Sequence, residues 1–312
     1  MSSRLDLMTL DLFVAVVEER SLAKASERKR IAISAVSRRI ADLEQAFDVR
    51  LLHRRHNGVE PTPAGLALLA HARGLLRGTH QLEDELRGYA TGSQGLIRIH
   101  ATESAVFGRL PDVLKTFVDA HPLVRIEFQE ATSPRVVRAV IENVADIGIY
   151  VGDLPTEGLE WFPFHADRLI VVLPRGHRLA ARRSVRFADL LDEDFIGQEA
   201  DSATDLLMRA AARQLGRTPR SRIRVGGFDA ACRMVEAGLG IALTAERITA
   251  KLAPVMHLHQ VELDEAWAVR PHLVCVRDVG ALPAAARSLL DHLTGCDPAD
   301  GALPIARMIA AD

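Results

Sequence analysis

Cysteine is scarce: Cys232, Cys275 and Cys296 are the three present, with no CxxC spacing. That pattern supplies neither a disulfide framework nor a cysteine-based zinc site, and it fits a reducing compartment. No apolar run approaches the roughly 20 residues needed to span a bilayer. The start, MSSRLDLMTLDLF, has no cationic segment leading into an apolar core and a cleavage site. The expectation is an intracellular, cytoplasmic protein with no membrane partner. A basic excess is also missing, since 39 Lys and Arg stand against 41 Asp and Glu, net −2. Any nucleic-acid contact must then come from a local patch. GxSxG, HExxH, GxGxxG and GxxxxGKS/T are all absent, so serine-hydrolase, zinc-protease and phosphate-cradling mechanisms lack their parts. His257 and His259 can share a strand face, but they find no third ligand. Cys232, beside Arg233, reads as a small apolar residue rather than a redox thiol. No metal, no cofactor and no enzymatic activity are expected.

What is present is an ordinary globular chain of 312 residues, 48% hydrophobic and 26% charged, long enough for two domains with one of them split. Its charge is uneven. Residues 1–60 hold eleven basic and nine acidic side chains, and between Lys24 and Arg39 six basic residues meet only Glu27. Such a cluster suits a phosphate-facing surface, although a solvated helix face has the same composition.

Leu10, Phe13, Val14 and Val17 repeat at helical spacing, which predicts an amphipathic helix from Asp6 to Glu19. Ser21 is an N-cap for a short helix over Leu22 to Arg28. After a turn at Lys29 to Ala32 a third helix follows, with Val36, Ile40, Leu43 and Phe47 on its buried side. Three short helices with tight turns make a helix-turn-helix. Ser34, Ser37, Arg38 and Asp42 then lie off the buried stripe of the third helix, with Arg39 at the edge of that face. Two short strands flank Asn57-Gly58, a hairpin signal, and form a basic wing with Arg54 and Arg55. Thr62-Pro63 opens a helix of roughly 27 residues, about 40 Å long. Its apolar seam of Leu66, Leu69, Leu76, Leu82 and Leu86 suits pairing with a second copy, or packing on the chain's own C-terminal part.

The run LDLFVAVVEERSLAKASERKRIAISAVSRRIADLEQAFDVRLLHRRHNGVEPTPAGLALLAHA resembles the N-terminal region of LysR-type transcriptional regulators over some sixty residues. The resemblance implies a winged helix-turn-helix (1–62), a linker helix that dimerises (63–91) and an effector-binding domain (92–312). By position it assigns DNA contact to Ser34, Ser37 and Arg38 and backbone contact to Arg54, and Arg39 and Arg55 beside them are expected DNA contacts as well. Where the family has Ser-Gln-Pro, this chain has Ala32-Ile33-Ser34, so the usual glutamine base contact is lost. Isoleucine packs on a thymine methyl but bonds no base edge.

After Gly92-Ser-Gln-Gly, strands and helices alternate, which predicts an α/β region with a mostly parallel sheet. The strands are expected at Leu96 to Ala101, Val124 to Phe128, Asp146 to Tyr150, Leu169 to Leu173, Phe195 to Gln198, Ile223 to Val225, Gly240 to Leu243 and His272 to Val276. Helices are expected over Phe107 to His121, Ser133 to Val144, Thr204 to Leu215, Phe228 to Ala237 and Pro283 to Leu293. The last strand and helix are expected to return to the first set. EAGLGIALTAER at Glu236 to Arg247 resembles the LysR-type effector domain, a periplasmic-binding-protein-like pair of lobes. That implies lobe I at about 92–164 and 268–295, lobe II at about 165–267, and a flexible tail at 296–312.

Ligands of open α/β sheets bind beyond the carboxyl ends of strands, near helix starts. The rule selects Thr102, Ser104, Thr132, Ser133, Tyr150, Ser202, Thr204 and Phe228. Hydroxyls at helix starts suit a small carboxylate, whereas Glu103, Glu199 and Asp201 nearby oppose a strongly anionic effector; each hydroxyl is equally an ordinary N-cap. The expected function is a sequence-specific DNA-binding regulator controlled by an effector of unidentified chemistry. Its expected partners are an imperfect inverted repeat of double-stranded DNA, copies of itself as dimer or tetramer, and RNA polymerase. A binding protein whose N-terminal region only dimerises is the alternative, and it predicts no sequence-specific DNA affinity.

Overall fold

The structure, a computed structural model, describes residues 5–55, 58–91, 95–152, 158–253 and 255–295. Its chain divides into two compact units, one comprising residues 1–93 with 142–144 and the other comprising the rest.

In the first unit α1 (Leu7–Glu19) is capped by Asp6, whose carboxylate accepts the Thr9 N–H at 2.8 Å. Ser21 caps α2 (Leu22–Lys29), and α3 (Ile33–Phe47) follows. Strands β1 (Leu52–Arg55) and β2 (Gly58–Pro61) pair antiparallel, and α4 (Pro63–Thr91) closes the unit. Leu10, Phe13, Val14, Val36, Ile40 and Leu43 form the core as their spacing requires, while Phe47 is exposed. Two expectations shift. Arg55 pairs with Gly58, so Gly58 already belongs to the second strand; His56 and Asn57 lie outside the described residues. The leucines of α4 do not make one seam either. At 100° per residue, Leu69, Ala72 and Leu76 share the face that packs on the three-helix core, and Leu75, Leu82 and Leu86 lie together roughly 90° around.

The second unit comprises β3 (Gly95–Ala101), α5 (Glu103–Phe107), α6 (Leu110–Ala120), β4 (Val124–Glu130), α7 (Ser133–Ile141), β5 (Ile147–Val151), β6 (Glu160–Pro174), β7 (Ser184–Val185), β8 (Asp194–Gly197), α8 (Ala203–Gln214), β9 (Arg220–Arg224), α9 (Phe228–Glu236), β10 (Ala242–Ala245), α10 (Glu246–Leu252), β11 (Leu258–Leu263), β12 (Val269–Val276) and α11 (Ala284–Gly295). The expected helix from Phe107 starts later, and Phe107 instead ends the separate short helix α5. Pro111 has no N–H to give, which is tolerated in a first turn, and α6 starts at Leu110 with Pro111 in that turn.

Strand order is β4-β3-β5-β12-β6-β11-β7, with β10 also on β6. β3 runs parallel to β4 and β5, but β12 is antiparallel to both β5 and β6, and β10 and β11 are antiparallel to β6. The sheet is therefore mixed rather than mostly parallel. The 15-residue β6 explains why: residues 160–168 pair with β12 and residues 169–174 with β10 and β11. It crosses from one hydrophobic cluster, around Ile97, Phe117, Ile149 and Leu289, to another around Leu169, Val171, Leu173, Phe187 and Leu243. As expected, β12 and α11 rejoin the first cluster. The first half of β6, together with α5, β7, β11 and α10, is additional to the elements read from sequence. The 92–94 hinge and the 296–312 tail lie outside the described residues.

Candidate DNA-binding face and effector cavity

Burial of Val36, Ile40 and Leu43 turns the opposite side of α3 outward. Ser34 and Arg38 are exposed there, Ser37 is half-buried, and Ile33 is 50% exposed. Arg38 is only loosely engaged, with its Nε 4.0 Å from Asp42. Arg39 is tied back: its guanidinium donates to Thr9 Oγ1 at 2.9 Å and lies 3.3 Å from Asp6. Arg28 pairs with Glu18 and Glu19, and Lys29 with Asp11, so carboxylates of α1 and its cap neutralise half of the basic cluster. Lys24 and Arg30 make no ion pair among the described residues. Arg54 and Arg55 belong to β1, but their side chains lie outside what the structure describes.

Ala32 occupies the N-cap position of α3 and supplies no side-chain acceptor. Ala32→Ser is expected to stabilise the chain by roughly 0.5–2 kcal/mol, read from urea unfolding. Ala32→Asp supplies the same cap but adds negative charge where DNA is expected, so it should stabilise the protein and weaken DNA binding. Unchanged DNA affinity would show that the start of α3 faces away from DNA.

In the second unit, a cavity of about 140 Å³ lies among the ends of β3, β4, β5 and β8 and the starts of α5, α7, α8 and α9. Thr102, Ser104, Thr132, Ser133, Ser202, Thr204 and Phe228, separated by up to 126 positions in sequence, all line it. Tyr150 does not. Strand alternation turns the neighbouring Val151 to the cavity and packs Tyr150 with Val136, Val140 and Leu273 in the core. Glu103, Glu130, Arg135, Gln198, Glu199 and Arg270 also line the cavity, and the strand-end rule does not select them.

Two of the helix starts, those of α8 and α9, are already capped by side chains. Glu103 Oε1 accepts the Phe228 N–H at 2.8 Å, capping α9. A Cβ on Gly227 would lie 2.7 Å from that oxygen, so glycine makes room for the carboxylate. Ser202 caps α8 by accepting the Asp205 N–H at 3.2 Å, and the Ser133 hydroxyl donates to Val151 O at 2.9 Å. Burial pushes Glu103 up to about 7, with Glu130 and Asp229 adding to the effect against the Phe228 N–H. Thr132 donates to Asp201 at 2.9 Å, and Arg135 Nε lies 3.4 Å from the same carboxylate.

Behind the cavity, β12 and β6 place Arg270 opposite Asp167 and His272 opposite His165. Arg270 donates through Nε (2.8 Å) and Nη2 (2.5 Å) to the two oxygens of Asp167, and through Nη1 to Thr204 Oγ1 at 3.0 Å. Despite the desolvation that opposes it, the Arg270 and His272 charges hold Asp167 well below the usual carboxylate range. The His165 and His272 rings pack at a tilt of 32° with centroids 4.0 Å apart. Burial pushes His165 down to about 2, so it is a neutral ring, and neither of its nitrogens has a hydrogen-bond partner among the described residues. Burial likewise pushes the Cys232 thiol up to about 11, which suits an inert apolar residue.

No described helix is long and apolar enough to cross a membrane. Two family models match the chain: the bacterial regulatory helix-turn-helix protein, lysR family, over residues 7–66, and the LysR substrate binding domain over residues 90–296. An uncharacterized HTH-type transcriptional regulator of Methanocaldococcus jannaschii is 30% identical over 244 residues, 77% of this chain and 82% of its own length. Full-length BenM, a transcriptional regulator of Acinetobacter baylyi, matches with a TM-score of 0.57 and 26% identity over 93% of this chain and 95% of its own. CbnR, in a crystal structure with its target DNA, shares the fold at TM-score 0.65 and 20% identity, over 93% and 99% of the two chains. These relatives are transcriptional regulators, not enzymes. The chain belongs to the LysR family of DNA-binding transcriptional regulators, with an N-terminal helix-turn-helix and a C-terminal effector-binding domain.

Proposed function

We propose that Ser34, Ser37 and Arg38 read DNA from the outward face of α3, and that a small effector bound in the cavity biases promoter occupancy without being chemically changed. The observation that carries the DNA reading is the pairing of a buried Val36-Ile40-Leu43 stripe with an exposed, loosely engaged Arg38. Arg54 and Arg55 in the wing act on the phosphate backbone. Arg39, bonded to Thr9 and Asp6, has a positioning role between α3 and the cap of α1.

Leu75, Leu82 and Leu86 are 53–59% exposed in the single chain. This uncovered stripe supports pairing of α4 with a second copy, which makes the operator an imperfect inverted repeat with half-sites about one turn apart or more. The site of action is the cytoplasm, beside RNA polymerase at the promoter. Thr102, Ser104, Thr132, Ser133, Ser202, Thr204 and Phe228 surround the effector. An effector acts by binding two arrangements of the protein with different affinities, since equal affinity shifts nothing.

The test is an anisotropy titration of the full chain against duplex from upstream of its own gene and against a scrambled duplex, at two salt concentrations. Native duplex should bind tighter by a factor on the order of 10³ or more. Arg38→Ala should cost roughly 1–3 kcal/mol of specific binding if it reads a base, or reduce the salt slope by about one if it touches phosphate. Absence of binding to either duplex at low salt would favour the binding-protein alternative, and an unchanged isotherm for Arg38→Ala would remove that residue from the interface.

A further inference from the structure

The charges around the cavity do not cancel. Of the two cations on its wall, Arg270 is committed to Asp167, and Arg135, an exposed side chain, lies 3.4 Å from Asp201 and 3.9 Å from Glu199. Glu103 and Glu130 remain, and neither forms an ion pair among the described residues. An anionic ligand would meet two carboxylates without ion pairs, and the nearest exposed cation, Arg135, already faces Glu199 and Asp201. Nor would it find a vacant helix start at α9, because Glu103 already accepts the Phe228 N–H.

We propose that the cavity takes a small organic cation, an alkylammonium or guanidinium group, with the Glu103 and Glu130 carboxylates as its counter-charges. The inference rests on the reading of this cavity as the effector site. Glu103 is well built for the part. Its Oε1 is fixed by the Phe228 N–H, Gly227 leaves it room, and Oε2 makes no hydrogen bond among the described residues. Gln198 is an independent sign that the cavity takes a polar ligand: it lines the same cavity at 6% exposure, and its amide nitrogen has no partner among the described residues. Turned by half a rotation, that amide offers its oxygen to a ligand N–H; unturned, it donates to a ligand oxygen. The cavity thus suits a compact molecule with a cationic end and a polar neighbour.

Proton linkage follows from the same geometry. The charged and titratable groups facing Glu103 are Glu130 from β4 and Asp229 and Cys232 from α9. With Glu103 held up to about 7, part of the population is protonated near neutrality, and an entering cation expels that proton. Amine binding should therefore tighten as pH rises through neutrality.

The experiment uses the full chain with n-butylammonium and 1,4-diaminobutane as cationic probes, and butyrate and succinate as anionic probes of similar length. Binding is read by thermal shift and by calorimetry in two buffers of different ionisation enthalpy. The amines should raise Tm and release protons, and the acids should do neither. Glu130→Gln, at an exposed position, should weaken amine binding roughly ten- to a hundredfold. Glu103→Gln should weaken it similarly and abolish the proton release. Stabilisation by the acids alone, or no shift with either amine up to tens of millimolar, overturns the proposal. The duplex titration above separates the two failures: specific DNA binding without amine binding rejects only the cation, whereas loss of specific DNA binding rejects the regulator reading itself.

Discussion

Arg270→Met is expected to destabilise the effector domain by about 3–5 kcal/mol, the largest single-residue effect anticipated in this chain. Arg270 is 2% exposed, and its guanidinium grips Asp167 through two hydrogen bonds while a third reaches Thr204. Methionine fills similar volume, so the loss is chiefly electrostatic: Asp167, 8% exposed, is left as a buried carboxylate with only His272 at 3.0 Å. Asp167→Asn in the Arg270→Met background removes the stranded charge and should recover roughly 1 kcal/mol or more. Urea unfolding of the two variants and the wild type measures both steps. A loss under about 1 kcal/mol for Arg270→Met would mean that water reaches the pair and screens it. Because β6 and β12 both run between the two clusters, Arg270 also links the start of α8 to the strands that cross, through Thr204.

This polar ladder lies beyond what local sequence patterns record. Helices α1 to α4 are legible because their signals are local: apolar residues three and four apart, with Ser21 as the cap of α2 and Thr62 as the cap of α4. The ladder depends on a register between strands about a hundred residues apart. His165 and Asp167 alternate on β6, Arg270 and His272 on β12, and antiparallel pairing sets His against His and Asp against Arg. Each half alone reads only as polar residues interrupting an apolar run. The cavity is half legible. Hydroxyls at helix starts follow from the rule for strand ends, and seven of the eight selected residues line it. Tyr150 departs from the rule because a one-residue step along a strand reverses the face. The chemistry of the helix starts is hidden more deeply. That Glu103 occupies the start of α9 follows from packing between residues 125 positions apart, which no local pattern records.

Acid should act on this domain through two buried groups of opposite sign. His165 is held down to about 2, so below its ordinary value near 6.5 the unfolded chain binds a proton that the folded chain does not, and stability falls as pH falls. Its surroundings agree: His272, Arg247 and Arg109 oppose a positive ring, and Asp167, which favours one, is already taken by Arg270. Glu103 works the other way. Held up to about 7 from 4.5, it binds a proton in the folded chain before the unfolded chain does, so its contribution to stability grows as pH falls through 7 and is lost as pH rises. From about pH 7 to about pH 5 each group contributes about 2 kcal/mol, and in the wild type the two nearly cancel. Variants separate them. Relative to the wild type, His165→Leu should gain about 2 kcal/mol as pH falls over that interval and Glu103→Gln should lose about 2 kcal/mol, read from urea midpoints at each pH. A His165→Leu profile parallel to the wild type would mean that the ring is protonated in the folded chain, and a parallel Glu103→Gln profile would mean that its carboxylate titrates as it does in water. Because the same Glu103 proton is the one an entering cation expels, the second comparison also fixes the pH range over which ligand binding should be proton-linked.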